Sequence, residues 1–318
     1  MSTTSSAACG ARTWIEDGGD AGSGTEDGRG TPAVDALSRR DRPFKPRVSL
    51  LFDFDETLGT HSIETITAEL GLSSEEWKER FVAPLGGGWD EIPLHGQAFI
   101  DAGLALGRPV SRALLREAAG RTRLYDGVET LPERLREAAR KVDGRVELEF
   151  CVLSSGFHTL IAATKAGELF DRIYASQFHF DADDHAVCIK RAVTHAGKAL
   201  YLEAHAKGLL ETGEATDIHM KAARPVPQQE WRVPLGQVIY CGDGESDLQT
   251  FALLGERGGQ ALAIAGGSGF EPGSLTREER PLAVLPPSYE EGGETARALV
   301  HAVKSAAHRA SVRGVAIG

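Results

Sequence analysis

Four short apolar runs recur along the chain, and each closes in small or acidic residues. They are VSLLFDFD at 48–55, VELEFCVLSSG at 146–156, QVIYCGDG at 237–244 and QALAIAGG at 260–267. Continuous apolar runs of this length are typical of strands that are buried on both faces of a parallel sheet. The chain is therefore predicted to carry at least four such strands.

Helical patterns lie between these runs, among them TLPERLREAARKV at 130–142 and FHTLIAATKAGELF at 157–170. Strands that alternate with helices predict an α/β fold built on a doubly wound, Rossmann-like parallel sheet. Ligands of such sheets bind beyond the carboxyl ends of the strands. The residues that close the apolar runs are therefore the candidate site residues.

The segment 59–125 interrupts this alternation with helix-like pieces, including SSEEWKERFV, in which Ser73 and Glu76 have capping-box spacing. It is predicted to be a helical cap domain on a core formed by 47–58 and 126–318. Residues 1–46 are rich in Gly, Ser, Thr and Asp without hydrophobic periodicity, which predicts a disordered tail. The polar stretch 208–235 is either an ordered insertion or a mobile loop.

Charge and composition narrow the class of partner. The chain has 35 basic and 46 acidic side chains in 318 residues, a net charge of -11, and no run of Lys or Arg. Nucleic acid and anionic membranes are therefore not expected as partners. Without an apolar leader, a membrane-length run or CxxC spacing of its four cysteines, the chain is expected to be cytoplasmic. Its ten histidines lack metal-binding spacing and are expected in loops or on the surface.

The first chemical motif is DFDET at 53–57, directly after an apolar strand. A carboxylate attacks phosphorus at neutral pH without a base to activate it, because its reference pKa is about 3.9. Asp53 is the candidate nucleophile, and Asp55 the candidate acid that protonates the leaving oxygen and later takes a proton from water. The alternative is an acidic loop that simply follows a strand.

The second motif is the Ser154-Ser155-Gly156 turn, where a strand leads into an amphipathic helix. Backbone N–H groups at a helix start bind anions, and the Ser154 hydroxyl adds a donor for a phosphoryl oxygen. The alternative is an ordinary helix N-cap.

The third motif is CGDGESD at 241–247, again directly after an apolar strand. Its glycines permit a tight turn that points Asp243 toward Asp53 and Asp55, which predicts an all-oxygen magnesium site. A plain Gly/Asp turn is the alternative. The distribution of the three motifs over three strand ends favours a phosphoryl-transfer site.

A cationic side chain is needed to neutralise the phosphate and carboxylate charges. Lys198 lies between the second and third motifs and is the candidate, with Lys190 and Lys207 as competitors. Order along the chain is the only basis for this choice, because most lysines are solvated surface groups.

In this order, DFDET, VLSSG, Lys198 and GDGESD resemble the four motifs of the haloacid dehalogenase superfamily of phosphatases. The resemblance implies that Asp53 is the nucleophile, Asp55 the acid/base, and Ser154 and Lys198 phosphate ligands. It also implies that Asp243, Asp53 and the Asp55 backbone carbonyl hold Mg²⁺. Supporting positions are Thr57 and Asp247.

The insertion at 59–125 resembles the helical C1 cap of that superfamily, and LSSGF with RIYASQFHFD is similar to its phosphoserine phosphatase-like branch. That branch implies an acidic cap residue, here Glu64, and a cap arginine, here Arg80. The expected function is magnesium-dependent hydrolysis of a small phosphorylated metabolite through an aspartyl-phosphate. Alternatives are a phosphotransferase or mutase that uses the same intermediate, or a non-catalytic binding module on the same fold.

Overall fold

A seven-stranded sheet forms the centre of the part of the chain that the structure, a computed structural model, describes: residues 45–210, 218–265 and 281–317. The strand order is β4-β3-β2-β1-β5-β6-β7, and β3 and β4 alone run antiparallel within it. The strands are β1 (Arg47–Phe52), β2 (Glu147–Phe157), β3 (Arg172–Phe180), β4 (Ala186–Arg191), β5 (Val238–Gly242), β6 (Gln260–Ile264) and β7 (Ala283–Leu285).

Strand β1 lies at the centre of the sheet, as its apolar sequence predicts. Leu50 pairs with Phe150 of β2 on one side and with Ile239 of β5 on the other, and all three are fully buried. Because the three strands are parallel and adjacent, their carboxyl ends meet at one edge. The predicted α/β parallel-sheet fold is confirmed, while the antiparallel edge strand β4 follows a polar turn that gave no strand signal.

Both faces of the sheet are covered, and the side chains of β1 alternate between them. Leu50 and Phe52 contribute to one hydrophobic core, and Leu51 contributes to the other. In the described residues, the segment 59–125 contains four α-helices: α1 (Ser62–Glu69), α2 (Ser74–Trp77), α3 (Glu91–Ala105) and α4 (Arg112–Ala119). Seven follow it: α5 (Leu131–Arg140), α6 (His158–Ala163), α7 (Lys165–Leu169), α8 (His195–Ala206), α9 (Ile218–Ala223), α10 (Leu248–Arg257) and α11 (Glu294–Ile317).

Helices α1 to α4 all lie within the segment 59–125 that the sequence assigns to a cap. The capping box of α2 is formed: the Ser73 backbone N–H donates to the Glu76 carboxylate at 2.8 Å, and the Glu76 N–H donates to the Ser73 hydroxyl at 3.1 Å. A π-helical turn, Lys78–Val82, continues from α2. The division of the chain into a cap and a core remains a prediction.

The second motif differs locally from the predicted single helix after the turn. Strand β2 continues to Phe157, its register with β3 shifts between Ser154 and Phe157, and two short helices follow on either side of Thr164. Thr164 has extended backbone angles, which interrupt the helix. Ser155 and Gly156 therefore form a bulge in β2 between two residues that pair with β3.

Some predictions fall partly outside the described residues. Of the predicted tail 1–46, only the last two residues are among those described. Of the stretch 208–235, residues 211–217 lie outside the described residues, and the rest includes α9 and a 3-10 turn, Gln228–Glu230. Among the helices that are described, none combines the length and the apolar character needed to cross a bilayer.

Candidate active site

The carboxyl ends of β1, β2 and β5 converge on one cavity of about 250 Å³. Asp53 directly follows β1 in sequence, and its backbone N–H donates to the Cys241 carbonyl of β5 at 2.8 Å. Ser154 lies in β2, and Asp243 directly follows β5. All three of these site residues line the cavity together with Lys198 of α8.

Lys198 is completely buried between two carboxylates. Its Nζ atom donates to Asp53 Oδ2 at 2.6 Å and to Asp247 Oδ1 at 2.7 Å, and it contacts the Ser246 hydroxyl at 3.1 Å. The capping Thr194 hydroxyl, which accepts from the Gly197 N–H at 3.1 Å, fixes the start of α8 one turn before Lys198. The ammonium group is thereby held against the carboxylate of Asp53.

The electrostatics of the site follow from burial and crowding of charge. Burial raises the pKa of Asp53 to about 6, although Lys198 opposes the rise, so this carboxylate is ionised at neutral pH. Burial also disfavours the charged form of Lys198, but Asp247 and Asp53 outweigh it and raise the Lys198 pKa. Burial, together with the charges of Asp53 and Asp247, raises the pKa of Asp243 to about 8.

The turn of the third motif depends on a glycine at position 242. A Cβ atom there would lie 2.1 Å from Asp247 Oδ2, so a side chain would displace that carboxylate. The buried Tyr240 hydroxyl donates to Asp247 Oδ1 at 2.6 Å. Asp247 is thus committed to orienting Lys198.

Asp55 takes a different environment from Asp53. Its Oδ1 atom accepts from the Ser62 backbone N–H at 2.7 Å and its Oδ2 atom accepts from the Ser62 hydroxyl at 2.8 Å, at the start of α1. A Cβ atom at Gly156 would lie 3.2 Å from Asp55 Oδ2 and 3.3 Å from Ser154 Oγ. The absence of a side chain at Gly156 therefore leaves a cradle between the acid and the hydroxyl.

Two serines follow each other at this point of the cavity lining. Ser154 Oγ accepts from the Gly156 N–H at 3.0 Å, which leaves its own proton for a ligand oxygen. Ser155 also lines the cavity, and within the described residues its buried hydroxyl has no hydrogen-bond partner. A buried polar atom without a partner is costly, so a ligand that accepts its proton would be stabilising.

The acidic residues fit a hard divalent cation. Carboxylate oxygens of Asp53, Asp243 and Asp247 all lie within 4.8 Å of one another. Oxygen donors of this kind suit Mg²⁺. Burial and then the negative charges of Asp53 and Asp247 raise the pKa of Asp243, and a bound cation would offset those charges. Because Asp247 Oδ1 is held by Lys198 and Tyr240, Asp53 and Asp243 are the side chains suited to bind the ion.

Four residues that were not predicted as site residues also line the cavity. They are His61, Glu91, His95 and His195. His195 Nε2 lies 3.0 Å from Glu91 Oε2, and this hydrogen bond raises the pKa of His195 and lowers that of Glu91. The i,i+4 spacing of Glu91 and His95, on one face of α3, was the available clue.

The remaining predicted residues lie elsewhere. Glu64 and Arg80 are exposed and do not line the cavity. Lys190 is exposed on β4, and Lys207 pairs with Glu203 at 2.8 Å, so of the three lysines Lys198 alone contacts Asp53. Thr57, the last residue of the first motif, is buried, and its carbonyl accepts from the Tyr289 hydroxyl at 2.7 Å.

Neither a protein-family model nor a curated protein matches the chain, but solved structures do. A probable phosphoserine phosphatase from Vibrio cholerae is 16% identical, with 83% of this chain and 66% of that chain covered and a TM-score of 0.50. A substrate-bound phosphoserine phosphatase is 20% identical, with coverages of 75% and 92% and a TM-score of 0.47. A HAD family hydrolase from Salmonella enterica serovar Typhi is 17% identical, with coverages of 70% and 64% and a TM-score of 0.48.

At these identities the comparison shows the fold alone. The chain shares the α/β fold of the Vibrio cholerae protein, and it spans about two thirds of that protein's length. The fold places the candidate site at the carboxyl ends of the central strands, where ligands of open α/β sheets bind.

Proposed function

We propose that this chain is a magnesium-dependent phosphomonoester hydrolase that acts on a small phosphorylated metabolite through an aspartyl-phosphate. The observation that carries the proposal is the buried contact of 2.6 Å between Lys198 and Asp53, at the meeting point of three strand ends. A purely structural ion pair would not require a neighbouring cavity lined by Asp55, Asp243 and the Ser154 hydroxyl.

The nucleophile in this proposal is Asp53. Its pKa of about 6 leaves it ionised at neutral pH, and Lys198 holds one of its oxygens. The other oxygen, Oδ1, accepts from the Phe54 N–H at 2.7 Å, so the carboxylate has a fixed orientation. Attack by a carboxylate oxygen forms the bond to phosphorus and releases the leaving oxygen on the opposite side.

Asp55 is the proposed acid/base. It lines the cavity outside the cluster of Asp53, Asp243 and Asp247, lies against Gly156 and is oriented by Ser62. In the first half-reaction a protonated Asp55 gives its proton to the leaving oxygen, and in the second its carboxylate takes a proton from the attacking water. Breaking the acyl-phosphate bond then regenerates Asp53 and releases inorganic phosphate.

The phosphoryl group is bound by the remaining residues. The Ser154 and Ser155 hydroxyls and the Gly156 region provide hydrogen-bond donors, and Lys198 offsets negative charge. Asp53, Asp243 and the Asp55 carbonyl are the proposed ligands of Mg²⁺. When bound, this ion would offset the charge that develops on the phosphoryl oxygens.

The segment 59–125, which the sequence predicts to be a cap, also reaches this cavity. Segment 59–125 contributes His61, Ile63, Glu91 and His95 to its lining, so we propose that this segment contacts the leaving group. The mixture of imidazole, carboxylate and apolar groups suits a small polar metabolite.

Turnover of an aryl phosphate by the purified full chain, with and without Mg²⁺, tests the proposal. Equal amounts of released aryl alcohol and inorganic phosphate are expected, because water is the proposed acceptor. A shortfall of inorganic phosphate in the presence of an added alcohol would point to transfer, and no turnover with any of a panel of phosphorylated metabolites would contradict the proposal. The panel also identifies the substrate.

A further inference from the structure

A pocket of about 570 Å³ lies at the amino ends of the central strands. Arg47 and Glu147, the first residues of β1 and β2, line it, whereas Asp53 and Ser154 at the other ends of these strands line the candidate active site. At about 3.3 Å per strand residue, roughly 20 Å separates the two regions. The pocket is therefore distinct from the proposed phosphatase site.

Positive charge is concentrated in this pocket, although the whole chain carries a net charge of -11. Five guanidinium groups and three carboxylates line it, which leaves a surplus of two positive charges. The arginines come from β1, α5, β3 and the segment before β5: Arg47, Arg136, Arg140, Arg172 and Arg232. Convergence of guanidinium groups from separate elements makes the local potential positive, which favours the binding of an anion.

Two of these arginines, Arg172 and Arg232, are held in place by hydrogen bonds to Glu149. Glu149 Oε1 accepts from Arg172 Nε at 2.8 Å and from Arg232 Nη2 at 2.6 Å, while Oε2 accepts from Arg232 Nη1 at 2.5 Å. Arg172 commits one of its five N–H donors to this contact. The positive surroundings are strong enough to lower the pKa of Glu149 to about 2, although burial opposes the shift.

The two arginines of α5, Arg136 and Arg140, make weaker contacts with carboxylates than Arg172 and Arg232 do. Arg136 packs over the Phe150 ring at 4.8 Å, and its Nη2 atom lies 3.7 Å from Asp171 Oδ2, beyond hydrogen-bond distance. Arg140 pairs with the exposed Glu133 at 2.5 Å. A solvent-exposed pair of this kind contributes little and exchanges readily for a better anion.

We propose that this pocket binds a small polyanion that carries at least two phosphate groups. The planar fork of a guanidinium matches phosphate oxygens with two parallel hydrogen bonds, and arginines that come from several elements suit a ligand with more than one such group. A volume of about 570 Å³ exceeds the needs of a single phosphate ion and is in the range of metabolite sites.

Binding of inorganic pyrophosphate to the full chain, measured by isothermal titration calorimetry in divalent-free buffer at fixed ionic strength, tests this site. Saturable binding is expected for the wild type. The double variant Arg136→Gln/Arg140→Gln should weaken it by about tenfold or more, because charge-assisted hydrogen bonds are lost. The double variant Arg116→Gln/Arg257→Gln removes the same charge at exposed positions outside the pocket and should keep the wild-type affinity.

The controls separate this site from the proposed phosphatase site. Ser154→Ala should leave pyrophosphate affinity unchanged, and loss of binding in that variant would assign the anion to the active site and overturn the proposal. Equal weakening in both arginine double variants, absence of saturable binding, or equally tight binding of citrate would also overturn it. The binding measurement does not depend on turnover, so a chain without phosphatase activity still gives a result.

Discussion

Lys198 Nζ lies 2.6 Å from Asp53 Oδ2, and the lysine side chain is fully buried. The same ammonium group contacts Asp247, so one cation serves two buried carboxylates. Such an arrangement is stable only while all partners are present, because an unpaired buried charge is strongly destabilising. The residues proposed for catalysis are therefore also residues on which the folded state depends.

Lys198→Met is predicted to lower the free energy of unfolding by about 3–5 kcal/mol, because it leaves Asp53 and Asp247 facing each other without a cation. Adding Asp247→Asn should recover part of the loss. Urea unfolding measures both effects, with the exposed Lys190→Met as the control, for which a change within about 0.5 kcal/mol is expected. A Lys198→Met variant as stable as the control would contradict the assignment.

Asp53→Asn is predicted to abolish turnover and to give no phosphorylated protein, because an amide is a far poorer nucleophile. Asp55→Asn should behave differently with an activated aryl ester, whose leaving group needs no proton. It should accumulate one phosphoryl group, since the second half-reaction still lacks its base. Intact-protein mass spectrometry after acid quench distinguishes the two variants, and an adduct on a Ser, His or Cys would refute the mechanism.

Asp243→Asn is predicted to act in opposite directions with and without magnesium. In metal-free protein above about pH 8, where Asp243 is ionised, it should raise the melting temperature, because it removes the charge of one of three clustered carboxylates. With excess Mg²⁺ the wild type should gain stability by ligand linkage, while the variant should gain much less and lose activity. Thermal unfolding monitors both, and the exposed Glu64→Gln is the matched control. An unchanged magnesium response in Asp243→Asn would exclude Asp243 as a ligand.

His205 is predicted to make the protein sensitive to mild acid. Burial lowers its pKa from 6.5 to about 3; Glu149 opposes this shift and nearby arginines add to it. The unfolded chain therefore protonates His205 as pH falls below about 6.5, whereas the folded chain keeps it neutral until about pH 3. Between these pH values, His205 lowers the stability of the folded state progressively as pH falls. Glu149, with its pKa lowered to about 2, adds a loss below its ordinary value of 4.5.

Melting temperatures of the wild type and His205→Gln between pH 7.5 and 5 test this. The variant loses the hydrogen bonds of His205 to Tyr174 and Ser49, both 3.0 Å long, and should be less stable at pH 7.5. The difference in melting temperature between the two proteins should narrow toward pH 5. At that pH only the wild type must release a proton from His205 when it folds, which lowers its stability. A constant difference across the range would contradict the shifted pKa.

Glu91→Gln is predicted to change kcat/KM for the natural metabolite, because Glu91 lines the cavity and orients His195 through a contact of 3.0 Å. Glu64→Gln and Arg80→Gln should leave kcat/KM near the wild-type value, since both residues are exposed outside the cavity lining. Steady-state kinetics of the three variants on one substrate decides between the cap positions suggested by sequence and those in the cavity. A large loss of kcat/KM in Glu64→Gln would instead identify Glu64 as the acidic residue that acts on the substrate.

The sequence determined the class of fold and the positions of three parts of the site. Apolar runs specify buried strands through local periodicity, and the residues directly after each run mark where the strand ends. In a parallel sheet the carboxyl ends of neighbouring strands meet, so the convergence of Asp53, Ser154 and Asp243 follows from local pattern and topology together. These positions needed no knowledge of side-chain packing.

Only the tertiary structure decided which lysine contacts Asp53, and which cap residues reach the cavity. Order along the chain favoured Lys198 but did not exclude Lys190 or Lys207, whereas the direction of α8 and the burial of its inner face bring Lys198 alone of the three to that carboxylate. Glu91 and the arginines of the second pocket likewise come together from distant parts of the chain. Sequence pattern records periodicity within an element, whereas distances between elements depend on their register, direction and packing.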